Sequence, residues 1–156
     1  MTTVNQLLGT WELFRWETSY DDGRMIYPMG EDAKGFILYT TDGFMSAALF
    51  RGDRSDFLTG EALTANDEEK VAGWDSYYSY GGRYRLDGDR VIHTVAHSIY
   101  PNWLGGSQVR KVSFEREHLI LTTPPQKTRR GTQNSRVIWR RPSAHVNPES
   151  LTPQRG

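Results

Sequence analysis

Apolar and polar residues alternate with a period of two through most of this chain, the mark of strands that bury one face. Trp11–Tyr20 interleaves two sets, Trp11, Leu13, Arg15, Glu17 and Glu12, Phe14, Trp16, Thr18. Neither set is cleanly polar, which predicts a strand with the core on one side and a partly covered outer face. A short helical turn over residues 4–8 leads into it. Asp21-Asp22-Gly23 is a turn signal, and a short strand over 24–27 stops at Pro28. Two strands over 34–40 and 43–50 are joined at Thr41-Asp42-Gly43, where Asp-Gly supplies a hairpin turn. Further strands are expected over 82–86, 90–100, 108–114, 118–123 and 135–140, with turns at Asp87-Gly88-Asp89 and at 115–117. Pro124 and Pro125 end the strand before them because neither can donate to a ladder.

One segment departs from this pattern. Acidic and small residues dominate GEALTANDEEKVAGW, and Thr64 followed by Asp67 and Glu68 resembles a helix start. The pattern predicts one helix over 64–78, its inner face formed by Trp74, Tyr77, Tyr78 and Tyr80, either as packing alone or as a cover over a binding site. About nine hairpin-linked strands at spacings of roughly 8–12 residues with one helical insert predict an all-β fold, an antiparallel up-and-down barrel. The barrel domain is expected over 1–141, with a flexible polar tail over 142–156.

Composition sharpens this picture in two ways. Five Trp, eight Tyr and six Phe in 156 residues suit a barrel whose interior is filled or lined by bulky rings. Nineteen basic and nineteen acidic residues cancel, so strong attraction to nucleic acid or an anionic membrane is not expected. The absence of cysteine excludes disulfides and thiolate chemistry. No leader and no spanning apolar run is visible, so a cytoplasmic location is expected.

Candidate chemistry concentrates between Val91 and Arg110, VIHTVAHSIYPNWLGGSQVR. His93 and His97 lie four apart on an extended strand, hence on one face about 13 Å apart at ~3.3 Å per residue. That is too far for both to bind one metal, and no metal site or other cofactor is expected. Either histidine suits a proton shuttle or a satisfied structural role. Pro101 fixes a corner that presents Asn102 and Trp103, as cavity wall or as rigid turn. Gln108 and Arg110 share a face with Val112 and Phe114, and an arginine there needs a partner: Glu17, a ligand oxygen or the Trp11 ring. Strand parity from Trp11 and Leu13 carries Glu17 inward, where a carboxyl would serve as general acid or base; the alternative is a rim ion pair. Tyr39, Tyr80 and Tyr84 lie on the inward parity of their strands and offer phenol donors, with Met45 as adaptable lining. The outward aromatics Phe14, Trp16, Phe44 and Phe50 are the candidate homodimer face.

Over residues 5–141 the chain resembles the small lipocalin-like domain family of bacteria and fungi. The resemblance rests on LLGTWELFRWE, KGFILYTTDGFMSAALF, LILTTPP and VIWRR, and most of all on the PNW-x-G-x-x-Q-x-R piece at 101–110. It implies a Gly9-x-Trp11 indole across the closed end of a barrel, near Arg140 or Arg141. It also implies an internal cavity for an apolar or amphipathic small molecule, in a family linked to natural-product biosynthesis. Two functions follow as expectations. One is a cofactor-free cyclase, isomerase or lyase with Glu17, His97 (or His93) and Arg110 as catalytic groups and Tyr39, Met45, Tyr80, Tyr84, His93, Trp103 and Gln108 around the substrate. The other is a non-catalytic carrier of a hydrophobic small molecule in the same pocket. Fold alone does not choose between them.

Overall fold

The computed structural model describes residues 1–143; the expected tail beyond Ser143 lies outside the described residues. Helix α1 (Val4–Leu7) leads into strand β1 (Gly9–Tyr20), followed by β2 (Met25–Ile26), β3 (Lys34–Tyr39) and β4 (Phe44–Phe50). Helix α2 (Asp67–Asp75) precedes β5 (Tyr77–Asp87), β6 (Arg90–Ser98), β7 (Ser107–Glu115), β8 (His118–Thr122), β9 (Gln126–Thr128) and β10 (Gly131–Arg140). The strands pair antiparallel in the order β2-β1-β3-β4-β5-β6-β7-β8-β10-β9, and β1 also pairs with β10. Eight long strands therefore close into a barrel, with β2 and β9 as short flaps. Closure leaves the long strands no free edge and explains how so short a chain holds so large a sheet without inviting aggregation.

The hairpin turns sit where the sequence signals them. Gly43 has φ +90°, a conformation that glycine adopts without steric cost, and it lets β3 and β4 meet over six residue pairs.

The insert differs from its expected form. Helix α2 begins at Asp67, not Thr64, because Asn66 caps it: its side chain accepts from the Glu69 amide at 2.9 Å while Glu69 accepts from the Asn66 amide at 3.1 Å. It ends at Asp75 and buries none of its residues, and Trp74 is half exposed. Tyr77, Tyr78 and Tyr80 belong instead to β5, paired to β4 from Phe50 down to Phe44. Aromatics favour a pleated, half-buried surface, whereas the helical segment lacks the apolar stripe that would hold an inner face.

Two irregularities set which side chains face inward. In β1 the pairing to β10 jumps from Leu13–Trp139 to Arg15–Ile138, leaving Phe14 as an extra, exposed residue. In β6 the pairing to β5 jumps from Gly82–Val95 to Gly81–His97, leaving Ala96 extra. A bulge of this kind swaps the faces of everything beyond it. Glycine is required at the second: a Cβ on Gly82 would lie 1.9 Å from the Thr94 carbonyl oxygen.

The core fills one end of the barrel. Leu7, Trp11, Tyr39, Val91 and Leu119 are all at most 3% exposed there. Each such side chain stabilises the fold by roughly 1.5–3 kcal/mol through burial. The Trp11 indole donates to the Leu7 carbonyl at 2.9 Å, and Arg141 stacks 3.7 Å over its ring. Of the two arginines considered for this role, Arg141 takes it. Arg140 instead pairs with Glu12 at 2.9 Å on the outside.

Candidate functional site

The opposite end of the barrel is hollow. A cavity of about 560 Å³ opens between the β6–β7 corner, the β8–β10 connection and the inner faces of β1, β4 and β5. Its aromatic wall is continuous: Trp16 meets Tyr78 at 5.7 Å between ring centres, and Trp103 meets Tyr78 at 5.5 Å and Tyr80 at 5.8 Å in edge-to-face contacts. Such geometry holds rings rigid and is worth about 0.5–1.5 kcal/mol per pair beyond burial. Leu49, Leu121, Val137 and Trp139 line its apolar side. A second concavity of similar size lies beside α2, but charged side chains such as Arg51, Asp53 and Glu69 line it, and it lacks the aromatic wall of an apolar pocket.

Of the residues singled out from the sequence, Tyr80, Trp103, Gln108 and Arg110 line the cavity. Trp103 stands in a short 3-10 turn, Pro101–Trp103, whose backbone closes through Leu104 to Pro101 at 3.1 Å. The proline fixes the turn and the turn aims the indole.

Glu17 is elsewhere. The bulge at Phe14 turns Trp16 and Thr18 inward and Glu17 outward, opposite Arg136. Its carboxylate lies 3.8 Å from Arg136 and 3.9 Å from Arg15, the ion pair with an arginine that stood as the alternative to a catalytic carboxyl. His97 is displaced by the same physics. Beyond the bulge at Ala96 it is exposed on the outer face, its ring covering Gly81, where a Cβ would come within 2.4 Å of Nε2. The two histidines do not share a face.

Tyr39, Met45, Tyr84 and His93 face inward as their parity requires, but they lie in the packed floor below the cavity rather than on its lining. Tyr84 donates to the Thr40 carbonyl at 2.8 Å. His93 is fully buried between two phenols, with Nε2 2.8 Å from the Tyr39 hydroxyl and Nδ1 2.7 Å from the Tyr80 hydroxyl. Burial, and secondarily the Arg110 charge, push its pKa from about 6.5 down to about 3, so the imidazole is neutral at ordinary pH. Burial likewise holds the Tyr39, Tyr78 and Tyr80 phenols above their usual range, with Arg110 acting against it.

Arg110 is the one charged side chain among the described residues that line the cavity. Its guanidinium donates to the Val109 carbonyl at 2.9 Å and to the Gln108 side-chain oxygen at 3.4 Å. Among the described residues, no carboxylate lies within ion-pair distance of it.

Trp16, Tyr78 and Trp139 are the site residues that sequence reasoning missed. Trp16 shares the period-two parity of Phe14, which assigned both outward, and only the bulge separates their faces. Tyr78 was hidden by its assignment to the helix.

Several known proteins are similar to this chain. A relative in Aspergillus oryzae, the 4'-hydroxy-3'-methoxypropiophenone carrier protein ppsC, is 33% identical over 106 aligned positions that cover 62% of this chain and 96% of that protein. Among solved structures, a lipocalin-like protein from Bacteroides uniformis is similar at 19% identity and TM-score 0.45, over 86% of this chain and 97% of that one. An uncharacterized protein from Bacteroides eggerthii is similar at 16% identity and TM-score 0.42, over 86% and 98%. The model of the lipocalin-like domain matches residues 8–142, nearly the whole barrel from the strand carrying Trp11 to the last strand: the chain belongs to the lipocalin-like domain family.

Proposed function

We propose that this protein binds and carries an aromatic, oxygen-bearing small molecule in the barrel cavity without transforming it. One observation carries the reading. The cavity has an aromatic wall and a single cation, yet among the described residues no carboxylate and no imidazole lines it. Proton transfer needs a base within hydrogen-bond reach of the substrate. Glu17 and His97 lie on the outer face, and His93 is spent on two tyrosines. Arg110 and the phenols can hold an oxygen, and among the described residues no carboxylate or imidazole beside them lines the cavity to take a proton. The name of the fungal relative, a carrier of a hydroxylated, methoxylated aryl ketone, supports the same reading and the same ligand chemistry.

The test is a titration with simple aryl ketones, followed by tryptophan quenching and native mass spectrometry. Stoichiometric binding with the ligand recovered chemically unchanged is the expected result. Conversion of the bound ligand would restore the cyclase or isomerase reading, and no saturable binding would remove both.

A further inference from the structure

Several hydrogen-bond donors around the cavity have no acceptor among the described residues. The Trp16 and Trp139 indole N–H groups are shielded from solvent and have no acceptor, although both residues line the cavity and Trp139 is only 1% exposed. Arg110 carries five N–H donors, of which two are engaged. Two of the acceptors on the wall are already engaged. Gln108 turns its side-chain oxygen to Arg110, and the Ser135 hydroxyl lies 2.7 Å from that of Thr18.

Proton counting adds a further donor. A neutral imidazole has one N–H and one bare nitrogen, so of the two phenols at His93 one donates and one accepts. Tyr39 is 2% exposed and His93 is its one side-chain hydrogen-bond partner among the described residues. Its proton is satisfied if it goes to Nε2. Nδ1–H then donates to the Tyr80 oxygen, and the Tyr80 proton is released on the side of the ring that faces the cavity. The reverse arrangement strands a hydroxyl proton in the packed floor, which costs about 1–3 kcal/mol. On the inner face, His93 stands opposite Gln108 and diagonal to Arg110, so Tyr80 and Arg110 work on one region of the wall.

We propose that the cavity selects the anionic form of an aromatic ligand, an ionised phenol or carboxylate, whose charged oxygen is held by Arg110 and the Tyr80 hydroxyl, while a second acceptor oxygen takes a free indole N–H. The inference rests on the carrier reading and narrows it. An unpaired guanidinium in a largely apolar cavity calls for an opposite charge. Tyr39, Tyr78, Tyr80, His93 and Gln108 surround it, and none of these supplies one.

Three probes of similar size separate the possibilities: 4-methoxyacetophenone (neutral), 4-methoxybenzoate (a carboxylate) and 4-nitrophenol, whose ionisation is visible by absorbance. The two anions bind the natural sequence about ten-fold or more tighter than the ketone, the scale of one charge-assisted contact. Bound 4-nitrophenol ionises about one pH unit or more below its free value. Arg110→Gln, checked for folding by its melting curve, abolishes both effects and Arg110→Lys restores part of them. Imidazole 15N resonances place the His93 proton on Nδ1. The inference is overturned if the neutral ketone binds as tightly as the anions, or if Arg110→Gln leaves the preference intact. If none of the three binds saturably, the carrier reading falls with it.

Discussion

The two ends of this barrel are built from the same strands and the same inward parity, yet they treat polar atoms in opposite ways. At the floor the inward polar groups of three described residues find partners within the protein: Trp11 on the Leu7 carbonyl, Tyr84 on Thr40, Tyr39 on His93. At the mouth Trp16, Trp139 and most of the Arg110 guanidinium do not. A buried donor without an acceptor lowers stability. The floor therefore holds the fold, and the mouth holds back donors whose acceptors come from outside. An inward-facing residue in such a barrel gains its meaning from depth as much as from face.

The contrast can be broken in order of force. Trp11→Ala empties the floor and should cost about 3–5 kcal/mol, read by urea or thermal unfolding. An equal loss from Trp103→Ala, which leaves the floor intact, would show that the two ends are not energetically distinct. Acid should act next, through His93. Its pKa is depressed in the folded state, so the unfolded chain takes up a proton first. The stabilisation it contributes is present above about pH 6.5 and is lost as pH falls towards about 3. A loss of a few kcal/mol over that window is expected, on the scale of 1.36 kcal/mol per pH unit. Imidazole NMR should find His93 still neutral at pH 4, and a charged ring there would refute the burial argument.

Smaller effects belong to the mouth and the outer face. Tyr78→Ala should weaken aromatic ligands roughly ten-fold, since it removes the ring that joins Trp16 to Trp103. Its effect on unfolding should be smaller than that of Trp11→Ala. Glu17→Gln should change stability by no more than about 0.5 kcal/mol and leave ligand titrations unchanged, because a partly solvated ion pair contributes little. Lost binding in that variant would return Glu17 to the cavity and undo the face assignment.

These residues also show how far the sequence could be read. Hairpin turns such as Asp42-Gly43 are local signals, so the order of strands and the closed antiparallel barrel followed from short-range chemistry. Alternation likewise turned Tyr39, Met45, Tyr80 and Tyr84 inward. Depth was not legible: whether an inward tyrosine meets a ligand or the packed floor depends on which end of the barrel is filled, a property of all the strands together. Glu17 and His97 failed for a narrower reason. Parity propagates only through a regular ladder, and a bulge sits between each of them and its reference residue. The aromatic run at Tyr77–Tyr80 failed because a capping signal at Asn66 starts a helix without saying where it stops.

The bulge at Phe14 makes the polarity of the cavity a matter of counting. Removing one residue there would restore strict alternation in β1. The faces beyond it would stay as they are, because Leu13 and Arg15 already meet the consecutive partners Trp139 and Ile138: Trp16 would still point inward and Glu17 outward. A single codon inserted between Arg15 and Trp16, with no change in the kind of any existing side chain, would instead turn Trp16 outward and Glu17 inward, and a chamber with one free cation among the described residues would become one that neutralises it.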